Sequence, residues 1–197
     1  MRKFLSLEFL FSFLFFAGFA HAQQTDFAVG GSTLWSSKNN DASQAYLPPP
    51  EKSGVLPSFT FQHLNERNIG IALEGAFRYH QGVYNGYQYY RPMFFDANLV
   101  YSTRMRAKTH ADFMGGAGVE SLLFYEHGIC VGNNGCRAYV NSNHFLLHGG
   151  FGIRYYAFRN IFIRPEVHYY FIPNNFQFHS DNVFRLGASI GYTFGAH

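Results

Sequence analysis

The stretch FRLGASIGYTF, residues 184–194, decides the fold. Phe184, Leu186, Ala188, Ile190, Tyr192 and Phe194 fall on one face, and Arg185, Gly187, Ser189, Gly191 and Thr193 on the other. A period of two is that of a β-strand whose faces meet different surroundings. The apolar face is the bulky one and ends in two aromatics, while the polar face is small and carries a cation. A soluble barrel would turn its bulky apolar side chains inward and its charges outward. A strand in a membrane barrel wall does the reverse.

Seven earlier segments read as strands: Asp26–Trp35, Val55–Leu64, Ile69–Tyr79, Tyr89–Tyr101, Ala111–Tyr125, His144–Tyr156 and Ile161–Phe171. Each meets the length of about 9–11 residues that a tilted strand needs to cross a bilayer. Their faces divide as in the last strand. Gly70, Ala72, Glu74, Ala76 and Arg78 oppose Ile69, Ile71, Leu73, Phe77 and Tyr79. Asp112, Gly116, Gly118 and Glu120 oppose Phe113, Ala117, Val119 and Leu123. His148, Gly150, Gly152 and Arg154 oppose Leu147, Phe151, Ile153 and Tyr155, and Arg164, Glu166 and His168 oppose Ile163, Val167, Tyr169 and Phe171. The connections alternate in length. NERN, the turn within STRMRAKTH, and AFRN are short, whereas the intervening connections are long. That rhythm belongs to up-and-down strands with turns at one barrel end and loops at the other. Trp35, Tyr79, Tyr101, Tyr125, Tyr155, Tyr192 and Phe194 are expected at the two interfaces.

Composition agrees. Charged residues make up 14% of the 197, against roughly 25% in soluble domains, while aromatics reach 20%. The mean hydropathy of −0.13 is middling because polar inward positions dilute the apolar ones. A net charge of +3 is too small to point to nucleic acid. Residues 1–22 read as a secretory signal: Arg2 and Lys3, an apolar run interrupted by Glu8, then Ala20-His21-Ala22 before the expected cleavage site. Residues 23–197 are then a single barrel domain. The expected fold is all-β, an eight-stranded antiparallel up-and-down transmembrane barrel. Such a barrel needs no apolar helix, because closure satisfies every backbone group inside lipid.

The stretches DFAVGGSTLW, RPEVHYYFIPNN and FRLGASIGYTF resemble small outer-membrane β-barrel proteins of the OmpA/OmpX-like eight-stranded family, over residues 26–194. The resemblance implies an outer-membrane location, a monomer, and a bilayer containing lipopolysaccharide as surroundings. It also implies a terminal aromatic read by the outer-membrane insertion machinery, a role that Phe194 matches although Gly195, Ala196 and His197 follow it.

The inward charges are Glu74, Arg78, Asp96, Glu120, Arg154, Arg164, Glu166 and Arg185. Arg154, Arg164 and Arg185 come from three consecutive strands and are expected to line one side. Glu74 and Glu120 face them across the axis, with Glu166 between the arginines. An eight-stranded barrel is just wide enough for side chains to fill, so the expectation is a plug of mutually paired charges. Cys130 and Cys136, in CVGNNGC, are expected to form a loop disulfide in an oxidising compartment. Ten histidines raise the question of metal. His144 and His148 share a face but stand roughly 13 Å apart along the strand, so no metal or other cofactor is expected. A lipid A-modifying barrel enzyme would need a serine beside a histidine; His179-Ser180 and Ser142 with His144 are the nearby pairs, neither within a recognisable motif. The expected role is therefore non-enzymatic, structural or adhesive through the loops. A lipid-modifying enzyme and a narrow, porin-like pore are the alternatives.

Overall fold

The computed structural model describes residues 24–36, 51, 54–84, 87–130, 136–173, 175, 177–178 and 181–195, and the side chains of 126–130 and 136–138 are outside that description. Residues 1–22, expected to be a signal, lie outside the described residues, as do His179, Ser180, Ala196 and His197. Nine strands follow one another: β1 (Gln24–Ser36), β2 (Val55–Leu64), β3 (Ile69–Phe77), β4 (Gly82–Tyr84), β5 (Gln88–Arg106), β6 (Thr109–Cys130), β7 (Cys136–Tyr156), β8 (Ile161–Phe171) and β9 (Asn182–Phe194). All pair antiparallel in the order β3-β2-β1-β9-β8-β7-β6-β5, and β3 closes on β5 from Ile69↔Tyr101 to Phe77↔Met93. This is a closed eight-stranded up-and-down barrel without a free edge.

Seven of the eight expected segments lie within strands; the third, Ile69–Tyr79, overruns β3 by two residues, and β5, β6 and β7 run well beyond the expected bounds. The ladder of β6 and β7 continues past Tyr125↔Tyr139, through a bulge, to Ile129↔Arg137 and Cys130↔Cys136. Most of what the sequence suggested as a loop is therefore a hairpin standing beyond the apolar belt. The ninth strand, β4, is a short hairpin on the extension of β5, with Gly82↔Tyr90 and Tyr84↔Gln88. It adds to the loop end and not to the barrel wall.

Side-chain alternation sets the two surfaces. Phe27, Val29, Phe59, Phe61, Ile71, Leu73, Phe95, Leu99, Phe113, Val119, Phe145, Leu147, Ile163, Leu186 and Ile190 are exposed on the outside. A surface this apolar is suited to hydrocarbon, not water. Tyr101, Tyr155, Tyr192 and Phe194 stand toward the short-turn end, and Trp35, Tyr79, Tyr89 and Tyr139 toward the loop end. These are the two aromatic girdles. No helix of the described chain is long and apolar enough to cross a membrane; the strands make the crossing.

The short turns close locally. Between β2 and β3, the Asn65 side-chain oxygen accepts from the Arg67 and Ile69 amides at 2.9 and 3.1 Å. Asn68 takes φ 58°, a left-handed conformation that asparagine tolerates better than most residues. The inner wall of β6 is kept small for a different reason. A Cβ on Gly116 would stand 2.0 Å from the Ala97 carbonyl oxygen and 2.4 Å from the Asn98 side chain. Only glycine permits so close an approach of β5 to β6 at this point.

Candidate functional site: the charged interior

The lumen is filled by side chains in tiers, and the inward charges do not form one network. Nearest the short turns, Arg154 of β7 is fully buried between two aspartates. It donates from Nη1 to Asp26 Oδ2 at 2.6 Å, and from Nη2 and Nε to Asp112 Oδ2 at 2.6 and 3.1 Å. Thr193 and Gln24 donate to Asp26, and Ser102 donates to Asp112. The Arg154 guanidinium also lies 5.0 Å from the centre of the Phe162 ring. Outside this tier a vestibule of about 490 Å³ opens at the short-turn end, lined in part by Arg104, Lys108, His110 and Arg159.

The central tier brings together Glu74, Asp96, Arg164, Glu166 and Arg185 with two histidines. Arg164 Nε donates to Glu166 Oε2 at 2.8 Å, and its Nη2 donates to Thr60 at 3.1 Å and lies 3.8 Å from Glu74 Oε1. Thr60 donates to Glu74 Oε1 at 3.0 Å. Arg185 Nη2 lies 3.6 Å from Glu74 Oε2, and its guanidinium is 5.6 Å from the Tyr170 ring centre. His148 of β7 stacks on His168 of β8 with ring centres 5.0 Å apart. Its Nδ1 donates to Asn98 Oδ1 at 2.6 Å, and Asn98 in turn donates to Asp96.

Toward the loop end the interior turns apolar: Leu34, Leu56, Ala76, Phe94, Leu146, Tyr170, Ile172 and Val183 pack across the lumen. Beyond them Arg78 donates to the Tyr90 hydroxyl at 3.2 Å. The carboxyls of Glu120 and Glu51 face one another, and Asn175 donates to Glu120 at 3.2 Å. An aromatic group of Tyr84, Tyr90, Phe124 and Phe178 lies at the same end, with the Tyr90 and Phe178 rings 4.8 Å apart.

The expected pairing is thus corrected in two places. Arg154 does not meet the glutamates; it sits close to the 157–160 turn, level with the beginnings of β1 and β6, where Asp26 and Asp112 are the carboxylates within reach. Glu120 does not meet the arginines of β7, β8 and β9; it lies far along β6, near Glu51 and Asn175. Glu74, Arg164, Glu166 and Arg185 do come together, and Asp96 joins them through Asn98 and His148. Asp26, Glu51, His148 and His168 were not anticipated as partners. Asp26 and His168 were readable as inward from the alternation, whereas Glu51 sits in a connection with no period to place it.

Ser142 and His144 are hydrogen-bonded, Oγ to Nε2 at 3.1 Å. Gln177 donates to the same Ser142 oxygen at 2.7 Å. Both residues are turned away from the lipid-facing surface. The backbones of Cys130 and Cys136 are paired directly across the hairpin; their side chains lie outside the described ones.

No family model matches the chain, and no curated protein does. Solved structures match its fold. The attachment invasion locus protein Ail of Yersinia pestis, in complex with the heparin analogue sucrose octasulfate, aligns at TM-score 0.60 and 12% identity over 87% of this chain and 98% of its own. Neisserial surface protein A aligns at TM-score 0.59 and 10% identity over 87% and 96%. The N-terminal β-barrel domain of Pseudomonas aeruginosa OprF aligns at 0.56 and 11% over 88% and 98%. The fold, a closed antiparallel eight-stranded up-and-down barrel, is that of the small outer-membrane barrels.

Proposed function

We propose that this chain is a monomeric outer-membrane barrel whose lumen is plugged and whose role is structural or adhesive, carried by the loop end. The observation that supports it most is the succession of buried tiers. Arg154, Arg164 and Arg185 are each 1% exposed or less, and the aromatic and aliphatic tiers stand between them and the loops. Ions crossing such a lumen would have to displace paired charges and packed rings, at a cost that exceeds what a fixed narrow channel tolerates. Lipopolysaccharide is the expected neighbour of the outer girdle, and the insertion machinery the transient partner of β9. The likeness to a protein named for attachment and invasion favours the adhesive form of the reading.

Lipid A chemistry is less well supported. Ser142 and His144 are turned into the barrel, and the serine oxygen already accepts a hydrogen bond from Gln177. A hydrolase acting on acyl chains would present its nucleophile at the lipid interface. The plug is tested by reconstituting the pure folded barrel in planar bilayers. The expected result is no steady single-channel current. A reproducible open level would replace the plug with a pore.

A further inference from the structure

We infer that Glu74, His148 and His168 form a binding site for a single divalent transition-metal cation of the zinc type, in the middle of the lumen. The three side chains come from β3, β7 and β8. His148 and His168 are neighbours on adjacent strands, and Glu74 reaches them from across the barrel. Their ligand atoms converge: His148 Nε2 to His168 Nδ1 is 2.9 Å, His168 Nδ1 to Glu74 Oε2 is 3.3 Å, and His148 Nε2 to Glu74 Oε2 is 4.0 Å. A tetrahedral ion with ligand bonds of about 2.0–2.1 Å has ligand–ligand edges of about 3.3–3.4 Å. The three observed edges straddle that length.

A hydrogen bond orients the His148 ring, and a carboxylate lies near the far nitrogen of His168. His148 gives its Nδ1 proton to Asn98 Oδ1, with Asp96 Oδ1 3.1 Å away, so its Nε2 lone pair points into the site. His168 turns Nε2 toward Glu166 Oε1 at 3.5 Å, which leaves Nδ1 as the lone pair directed inward. Imidazoles held by carboxylate or amide oxygens on their far nitrogens are the usual support of metal-bound histidine. At 2.9 Å the two ring nitrogens need something between them, either a proton given by one ring to the other or a metal ion bound by both.

Two further features favour the metal. Glu74 Oε2 is buried and has no hydrogen-bond donor. Gly150 leaves the ring nitrogens open: a Cβ there would stand 3.1 Å from His148 Nε2 and 3.2 Å from His168 Nδ1. The opening suits a water or hydroxide as the fourth ligand. The charges balance as well. Glu74, Asp96 and Glu166 against Arg164 and Arg185 leave the tier one positive charge short of neutrality. A divalent ion carrying hydroxide supplies that single positive charge, and zinc-bound water ionises near neutral pH in protein sites.

The test uses the mature chain without a histidine tag, refolded into detergent micelles with excess zinc or cobalt and then passed over a weak chelating resin. Folding is followed separately by the gel shift between unheated and boiled samples. The expected result is one retained metal per folded chain, tetrahedral visible bands for cobalt, and an X-ray absorption spectrum with two imidazoles in the first shell. His148→Gln and His168→Gln should lose the metal, while His144→Gln should keep it. Folded wild type that retains no metal would assign the position to a proton and overturn the site. So would an octahedral cobalt spectrum, or metal retained by both histidine variants. If those variants fail to fold, the first-shell spectrum of the wild type decides the question alone.

Discussion

Replacing Arg154 by methionine keeps much of the side-chain volume and removes the charge that two buried aspartates share. The loss includes three charge-assisted hydrogen bonds, at 2.6, 2.6 and 3.1 Å. Breaking a buried pair by removing one partner costs about 3–5 kcal/mol, because the remaining charge is left without compensation. Here Asp26 keeps donors from Thr193 and Gln24, and Asp112 keeps Ser102. Those neutral donors soften the penalty, which places the expected cost near the lower bound, about 3 kcal/mol. That is roughly a hundredfold in the folding equilibrium. The matching triple variant, Arg154→Met with Asp26→Asn and Asp112→Asn, removes the orphaned charges and should recover most of the loss.

Urea unfolding in lipid vesicles measures both variants. Trp35, the single tryptophan, is 70% exposed on the outer wall beside Phe184, so its emission follows the membrane-inserted state. If the Arg154→Met barrel unfolds at the wild-type urea concentration, water reaches this tier and the pairs are screened. The plug argument would then fail at the short-turn end. A triple variant no more stable than the single one would show that the cost lies in packing against Phe162 and not in charge.

Ile190→Arg should cost about 2–4 kcal/mol in the same assay, because Ile190 faces lipid at 58% exposure; insertion equal to wild type would reverse the assigned faces. Phe194→Ala should lower outer-membrane assembly in cells more than deletion of residues 195–197, and unchanged assembly would remove Phe194 from the insertion signal. Cys130 and Cys136 should be joined in exported protein. Directly opposed strand residues have Cα atoms about 4.5–5.5 Å apart, within disulfide reach, and two free thiols without reductant would refute the bond. Burial pushes the Glu51 carboxyl up to about 8 against the pull of Arg78. Folding therefore favours its protonated form, so this contribution to stability is full below about pH 4.5 and is lost as pH rises through about 8. Glu51→Gln should flatten that decline in urea midpoints, and parallel pH profiles for the two proteins would count against the buried carboxyl.

The barrel was legible in the sequence because period-two alternation reports which way each side chain points, and lipid makes that report unambiguous. Strand existence and facing followed from Phe184–Phe194 and its seven counterparts. Strand ends were less legible, because a ladder can continue into water without an apolar face. The β6–β7 hairpin beyond Tyr125 and Tyr139 does this, and its glycines and asparagines looked like loop. Partners inside the lumen were legible in kind but not in identity. Alternation fixes direction but leaves axial height open, and height depends on the stagger accumulated around a closed, tilted sheet. Arg154, Glu120 and Glu74 all point inward, yet they occupy three different levels. The same limit hid the histidine pair. Spacing along one strand correctly separates His144 from His148, but His148 and His168 meet on neighbouring strands, and Glu74 reaches them from the far wall. Closure brings together residues 74, 148 and 168, and no linear spacing encodes that distance.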